Sequence, residues 1–185
     1  MKTVKLSTPL TTEDLTPLEA GDKVLLSGEV HTARDAAHKR LVALLEEGKD
    51  LPFDPEGAVI YYVGPAPSRP GQVLNSAGPT TSYRMDVFTP LLLRHGMKAT
   101  IGKGPRGKEV RDAMVENKAV YLGAVGGAAA GIAAAVKEVE VIAYEDLGTE
   151  AIRRLVVEDM PLFVVNDVHG RDLFEMGVAE YRRGG

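Results

Sequence analysis

The chain has 185 residues, 44% of them apolar and 26% charged, and a net charge of −4 at neutral pH. That size and balance predict one soluble domain over residues 1–185 with a sizeable core, no general nucleic-acid footprint and no membrane span. Cysteine is absent, which excludes disulfides, a cysteine nucleophile and thiolate ligation of zinc or of an iron–sulfur cluster by this chain.

In chain order, Met1-Lys2-Thr3-Val4-Lys5-Leu6 lacks the apolar stretch of a signal peptide, so a cytoplasmic location is expected. Lys2 to Leu6 reads as a short edge strand. Thr11-Thr12-Glu13-Asp14 with Pro17 marks a turn that carries a helical cap. Lys23 to Val30 reads as a strand. A helix is expected next, with Thr32 as N-cap, Asp35 completing a capping-box variant and Arg34 in the first turn. Ala33, Ala37, Leu41, Leu44 and Leu45 recur at helical spacing, Gly48 stops the helix, and His38 falls on its polar side.

Ala58 to Val63 is an apolar run of strand length, closed by Gly64-Pro65. Residues 64–84 hold four of the eleven prolines and form the longest irregular stretch, which points to function. Strands and helices then alternate. A helix is expected over Met85–His95, a strand over Lys98–Ile101 and a helix over Lys108–Asn117 with Val110, Met114 and Val115 inward. A strand at Ala119–Gly123, a helix at Ala128–Ala135 and a strand at Val136–Tyr144 follow. A helix at Thr149–Val157, a strand at Leu162–Asn166 and a frayed Arg182–Gly185 end the chain. A β-rich start followed by alternation implies the α/β class.

The run Ser76-Ala77-Gly78-Pro79-Thr80-Thr81-Ser82-Tyr83-Arg84-Met85-Asp86 is too polar and too punctuated for core packing. It offers backbone N–H groups, hydroxyls and one fixed positive charge to an anion. Thr80 and Arg84 share a face if the segment begins a helix. Alternatively, one of Thr80, Thr81 and Ser82 caps the helix entered at Met85, which is compatible with anion binding.

Arg34, Arg84 and Lys103 all sit at element ends. Arginine grips a carboxylate with two parallel hydrogen bonds and lysine supplies a compact charge, so together they suit a small dicarboxylate. Taken singly, Arg34 and Lys103 read as ordinary surface cations among 22 lysines and arginines. Gly102-Lys103-Gly104-Pro105 is either a strand-to-helix turn or an anion site, and it lacks phosphate-loop spacing. The Gly/Ala run from Gly123 to Gly131 lacks the dinucleotide pattern and favours close packing. His31, His38, His95 and His169 show no metal-ligand spacing, and Asp167-Val168-His169-Gly170 reads as a turn.

The segment SAGPTTSxRMD resembles the beta part of the class I, iron–sulfur-dependent fumarate hydratases and of the similar L(+)-tartrate dehydratases. Thr32–His38, Tyr61–Pro65, Gly102–Gly104 and Tyr121–Ala130 match in order as well, so the resemblance covers most of the chain. It implies a swivelling β/β/α domain and a lyase that reversibly hydrates fumarate to L-malate in the tricarboxylic acid cycle, or that dehydrates L(+)-tartrate. It implies a 4Fe–4S cluster held by a separate, cysteine-containing alpha subunit, with one iron open as a Lewis acid. This cysteine-free chain would then be the beta subunit of a heteromer with beta–beta contacts, inactive alone. By the same resemblance Arg34, Arg84 and Lys103 bind the substrate and Thr80 abstracts the carbon-bound proton, with Ser76, Gly78, Thr81 and Ser82 supporting. A threonine hydroxyl is a poor base unless positive charge stabilises its alkoxide, which Arg84 and Lys103 would supply. The rival reading is a non-catalytic dicarboxylate-binding module built on the same basic loop.

Overall fold

A computed structural model describes residues 1–65, 68–71, 73–74, 77–124 and 129–184. Ser76, and residues 125–128 of the Gly/Ala run, lie outside the described residues. Strands β1 (Thr3–Ser7), β2 (Lys23–Thr32), β3 (Val59–Tyr61), β4 (Ala99–Gly102) and β5 (Val120–Ala124) pair in parallel, each with the next. Strands β6 (Val136–Ala143) and β7 (Ile152–Asn166) pair antiparallel to each other. The long β7 also pairs antiparallel with β2 along one side and with β5 near its end. The pairings β2–β3–β4–β5–β7–β2 therefore close a ring, with β1 and β6 outside it.

Successive strand residues point to opposite faces, and here both faces are covered. Val59 and Tyr61, Ala99 and Ile101, and Val120 and Leu122 join a core shared with Val24, Leu26 and Val30 of β2 and with Leu155, Val157, Leu162 and Val164 of β7. The alternate residues Ile60, Tyr62 and Tyr121 join a second core under the helices α2 (Asp35–Glu46), α3 (Thr89–Arg94) and α4 (Lys108–Asn117). Double burial is why Ala58–Val63 is continuously apolar rather than alternating. The short α1 (Thr12–Leu15) has the expected cap, a reciprocal capping box between Thr11 and Asp14. Helix α5 (Ala129–Ala135) and helix α6 (Leu173–Arg183, capped by Asp172) complete the chain. No described helix is long and apolar enough to cross a membrane.

Four local expectations are corrected. The helix expected over Thr149–Val157 is the first half of β7, preceded by a 3-10 segment at Glu145–Glu150. Ile152, Leu155 and Val156 fit helical spacing, but β2 and β6 both supply backbone partners there, and the strand wins. The helix expected over Met85–His95 is two pieces, a 3-10 turn at Ser82–Met85 and then α3. Pro90 lies in the first turn of α3, where its missing N–H costs nothing, and proline is poorly tolerated deeper inside a helix. Thr32 does not cap α2. It ends β2, and its hydroxyl accepts from the Arg153 N–H at 3.0 Å, which leaves Arg34 at the N-cap position with no side-chain cap bond. Arg182 and Arg183 are not frayed but close α6, where cations suit the carbonyl end of a helix.

Candidate functional site

Because β2, β3 and β4 are parallel, the chain leaves all three at one edge of the sheet, the edge where open α/β sheets hold ligands. Arg34 lies just past β2, residues 64–84 follow β3 and Lys103 follows β4. Thr80–Ser82 is stitched onto that edge by backbone bonds. The Thr80 N–H donates to the Tyr62 carbonyl at 2.6 Å, the Lys103 N–H to Thr80 at 3.4 Å and the Ser82 N–H to Lys103 at 2.9 Å. The Arg84 guanidinium reaches the Asp35 carboxylate at 2.9 Å, at the start of α2 beside Arg34. The side chain of Arg34 lies across Gly64, where an added Cβ would sit 2.9 Å from a guanidinium nitrogen. The Nε of Arg34 is buried with no hydrogen-bond partner among the described residues. Arg34, Thr80, Arg84 and Lys103 thus come from three loops to one rim.

The supporting residues divide. Gly78 is exposed and Thr81 half-buried, bridged to Lys103 through the backbone. Ser82 turns inward and is fully buried. No side-chain hydrogen bond caps the 3-10 turn, and that turn begins after Thr80, so Thr80 and Arg84 do not share a helical face.

Beneath the rim lies a buried polar network built on Arg106. Its side chain is fully buried. It donates to Asp86 at 2.7 Å, Thr100 at 2.9 Å, Thr89 at 2.8 Å and the Tyr62 hydroxyl at 3.2 Å. Its guanidinium carbon lies 5.2 Å from the ring centre of Tyr62 and 5.1 Å from that of Tyr121. Burial works against its charge, but Tyr62 and Asp86 hold its pKa above the usual value, so it is a permanent cation. The second oxygen of Asp86 accepts the Gly107 N–H at 2.7 Å. The Tyr121 hydroxyl donates to the Gly104 carbonyl and meets the Ser82 hydroxyl, both at 2.8 Å, while burial pushes its own pKa up to about 12. Gly102 must lack a side chain, because a Cβ there would stand 1.9 Å from the Ser82 hydroxyl.

His38 is not on a polar face. It is fully buried, its Nδ1 lies 2.8 Å from the Arg34 carbonyl, and burial brings its pKa down to about 4. Its ring packs against Tyr62 and Phe88. Helix α2 buries Ala37, His38 and Leu41 together, and the backbone bond to Arg34 is what lets an imidazole join that face. Asp167 and His169 form the expected turn after β7, at the opposite edge of the sheet. The Asp167 carboxylate accepts the N–H groups of Ala20, His169 and Arg171, and His169 contacts the Thr16 carbonyl.

Arg106, Asp86, Tyr62 and Tyr121 were missed as site residues. The available signal was a second cation and a terminal aspartate inside the two motif loops, Gly102–Gly107 and Ser76–Asp86. The donor set at the rim suits an organic anion. The chain has no thiolate, and among the described residues no group of three or more histidines and carboxylates is arranged to hold a metal ion, so it does not fit a resident iron–sulfur cluster. Arg84 and Lys103 are exposed at the rim, and Arg34 and Thr80 are half-buried. Cavities of about 410 Å³ by His31 and Phe53 and of about 430 Å³ by Leu74 and Arg153 are lined by none of its four residues.

Residues 1–177 match the family model described as Fumarase C-terminus. The chain belongs to this family. It is 41% identical over 155 residues to the anaerobic class I fumarate hydratase of Escherichia coli (strain K12), covering 83% of this chain and 28% of that one. It is 38% identical over 169 residues to fumarate hydratase 2 of Leishmania major, covering 90% and 30%. It is also 38% identical over 172 residues to a candidate L(+)-tartrate dehydratase subunit beta of Methanocaldococcus jannaschii, covering 90% and 88%. The chain therefore spans less than a third of the two fumarate hydratases and most of the archaeal subunit. In this Fumarase C-terminus chain, the two motif loops are the ones that Arg106 and Tyr121 tie together.

Proposed function

We propose that this chain is the beta part of a hydro-lyase that reversibly hydrates fumarate to L-malate. Arg34, Arg84 and Lys103 bind the carboxylates of the substrate, and Thr80 exchanges the proton on the carbon next to one of them. The observation that carries this reading is the meeting of three cationic loops at one strand-end rim, with the Thr80 backbone bonded to that of Lys103. In dehydration the Thr80 oxygen takes the carbon-bound proton, and charge spreads into the adjacent carboxylate. Lys103 and Arg84 stabilise that charge where it develops. The same cations, with buried Arg106 beneath, favour the alkoxide form that Thr80 needs as a base.

The substrate hydroxyl calls for a Lewis acid that this chain does not provide. We assign that role to a 4Fe–4S cluster held by a cysteine-containing alpha part. The exposure of Arg84 and Lys103 and the absence of cysteine support a site completed by such a partner, in a cytoplasmic hetero-oligomer. The closed strand ring, with helices over its parallel side, supports the swivelling β/β/α description for one domain over 1–185.

A second reading, the beta subunit of an L(+)-tartrate dehydratase, is favoured by the near full-length match to the archaeal subunit. The test is anaerobic co-expression with a cysteine-containing alpha chain and assay on fumarate, L-malate and L(+)-tartrate. Turnover of fumarate and malate only when both chains are present is the expected result. Turnover of tartrate alone selects the second reading. Tight dicarboxylate binding by this chain with no active pairing overturns both in favour of a binding module.

A further inference from the structure

We infer that Arg106 is a positioning residue. It locks the loop carrying Thr80 and Arg84 onto the loop carrying Lys103, and so holds the proton-handling hydroxyl at a fixed spacing from the carboxylate-binding ammonium. The inference rests on the roles proposed above for Thr80 and Lys103. A fully buried guanidinium is costly to keep, and apolar packing of the same volume is often at least as stable. Its cost is explained by where its bonds run. Asp86 closes the 3-10 turn that follows Thr80, and it accepts both the Arg106 Nε–H and the Gly107 N–H. One ion pair thus joins the far end of the first loop to the far end of the second. Thr100 of β4 and Tyr62, the residue that follows β3, anchor the guanidinium to the strands that launch the two loops.

A second tie crosses the same junction. Tyr121 donates to the Gly104 carbonyl and accepts from Ser82, so one phenol holds the residue after Lys103 and a residue next to Thr81. Its ring and that of Tyr62 flank Arg106. Lys103 itself is exposed, and no ion pair holds its side chain among the described residues. Its place is therefore set from below, by the backbone bonds to Thr80 and Ser82 and by this network.

The test uses Arg106→Lys, which keeps the charge and loses the planar fork, and Tyr121→Phe, which keeps the ring and loses one hydroxyl. Each is paired with the cysteine-containing partner for kinetics and measured by amide hydrogen exchange as the full chain alone. The expected kinetic result is a fall in kcat on the order of 10- to 100-fold with KM changed less than about threefold, because misplacement penalises the reacting geometry more than binding. Exchange at the Ser82 and Lys103 amides should quicken on the order of tenfold in Tyr121→Phe while the thermal midpoint stays near wild type. A purely structural role would lower the amount of folded complex and leave kcat per active complex unchanged. That result overturns the inference, as does unaltered exchange at both amides. A KM increase with kcat unchanged also overturns it. If the wild-type pair turns over none of the three substrates, the proposed function fails. The exchange measurement then still decides whether Arg106 and Tyr121 clamp the two loops.

Discussion

His38 makes the stability of this chain depend on mild acid. Burial is the main cause that lowers its pKa from 6.5 to about 4, with nearby Arg106 adding to the effect and the Arg34 carbonyl and Asp35 opposing it. In the unfolded chain the ring titrates near its ordinary value. Between those two pKa values the unfolded chain therefore binds a proton that the folded chain refuses, and stability falls as pH falls. The contribution is intact above about pH 6.5 and lost by about pH 4. At about 1.4 kcal/mol per pKa unit the whole effect is about 3 kcal/mol, of which about 2.5 kcal/mol disappears between about pH 7.5 and about pH 4.5. Urea unfolding across that range should show the loss in wild type. In His38→Asn a neutral amide replaces the ring and can still donate toward the Arg34 carbonyl. That variant should start less stable, and its gap to wild type should narrow by about 2.5 kcal/mol at the acid end. Equal pH slopes for the two proteins, or an imidazole that titrates near 6.5 in the folded chain, would refute the reasoning.

Arg84→Lys keeps the charge and loses the two-pronged grip. Activity with the partner should drop more than about tenfold while urea unfolding shifts by less than about 0.5 kcal/mol, since its half-exposed bridge to Asp35 adds little. Wild-type kinetics would remove Arg84 from the substrate clamp. Gly102→Ala should cost about 1–3 kcal/mol by driving a methyl into Ser82. Adding Ser82→Gly should recover much of that loss, and a strictly additive double-mutant cycle would contradict the contact. Asp167→Ala leaves three backbone N–H groups without their acceptor and should cost about 2–4 kcal/mol, with Asp167→Asn milder, both read by thermal or urea unfolding.

The parts legible from sequence are those whose pattern is set by immediate neighbours. Helix α4 spans Lys108–Asn117 as expected, because Val110 and Met114 repeat on one face and polar residues fill the other. Strand β3 was visible because a run buried on both faces has no polar position. The motif loop was visible because glycine, proline and hydroxyl residues in one stretch cannot pack as core. Strand β7 was not. Glu158, Asp159 and Pro161 interrupt its apolar pattern, and only the flanking strands β2, β5 and β6 make it continuous.

The site divides along the same line. Arg84 and Lys103 announce themselves through the chemistry of the loops that carry them. His38 reads as part of a polar helix face and Arg106 draws no reading of its own, because a charged or titratable side chain is by default solvated. They are buried because Asp86 and the Arg34 carbonyl, brought close by folding, satisfy them. Composition and local motif were sufficient for the α/β class, the polar loop at 76–86 and the lack of cysteine ligands. The meeting of that loop with Arg34 and Lys103 at one strand-end rim, above a caged guanidinium, was settled by strand pairing and burial, which are properties of residues far apart in the chain.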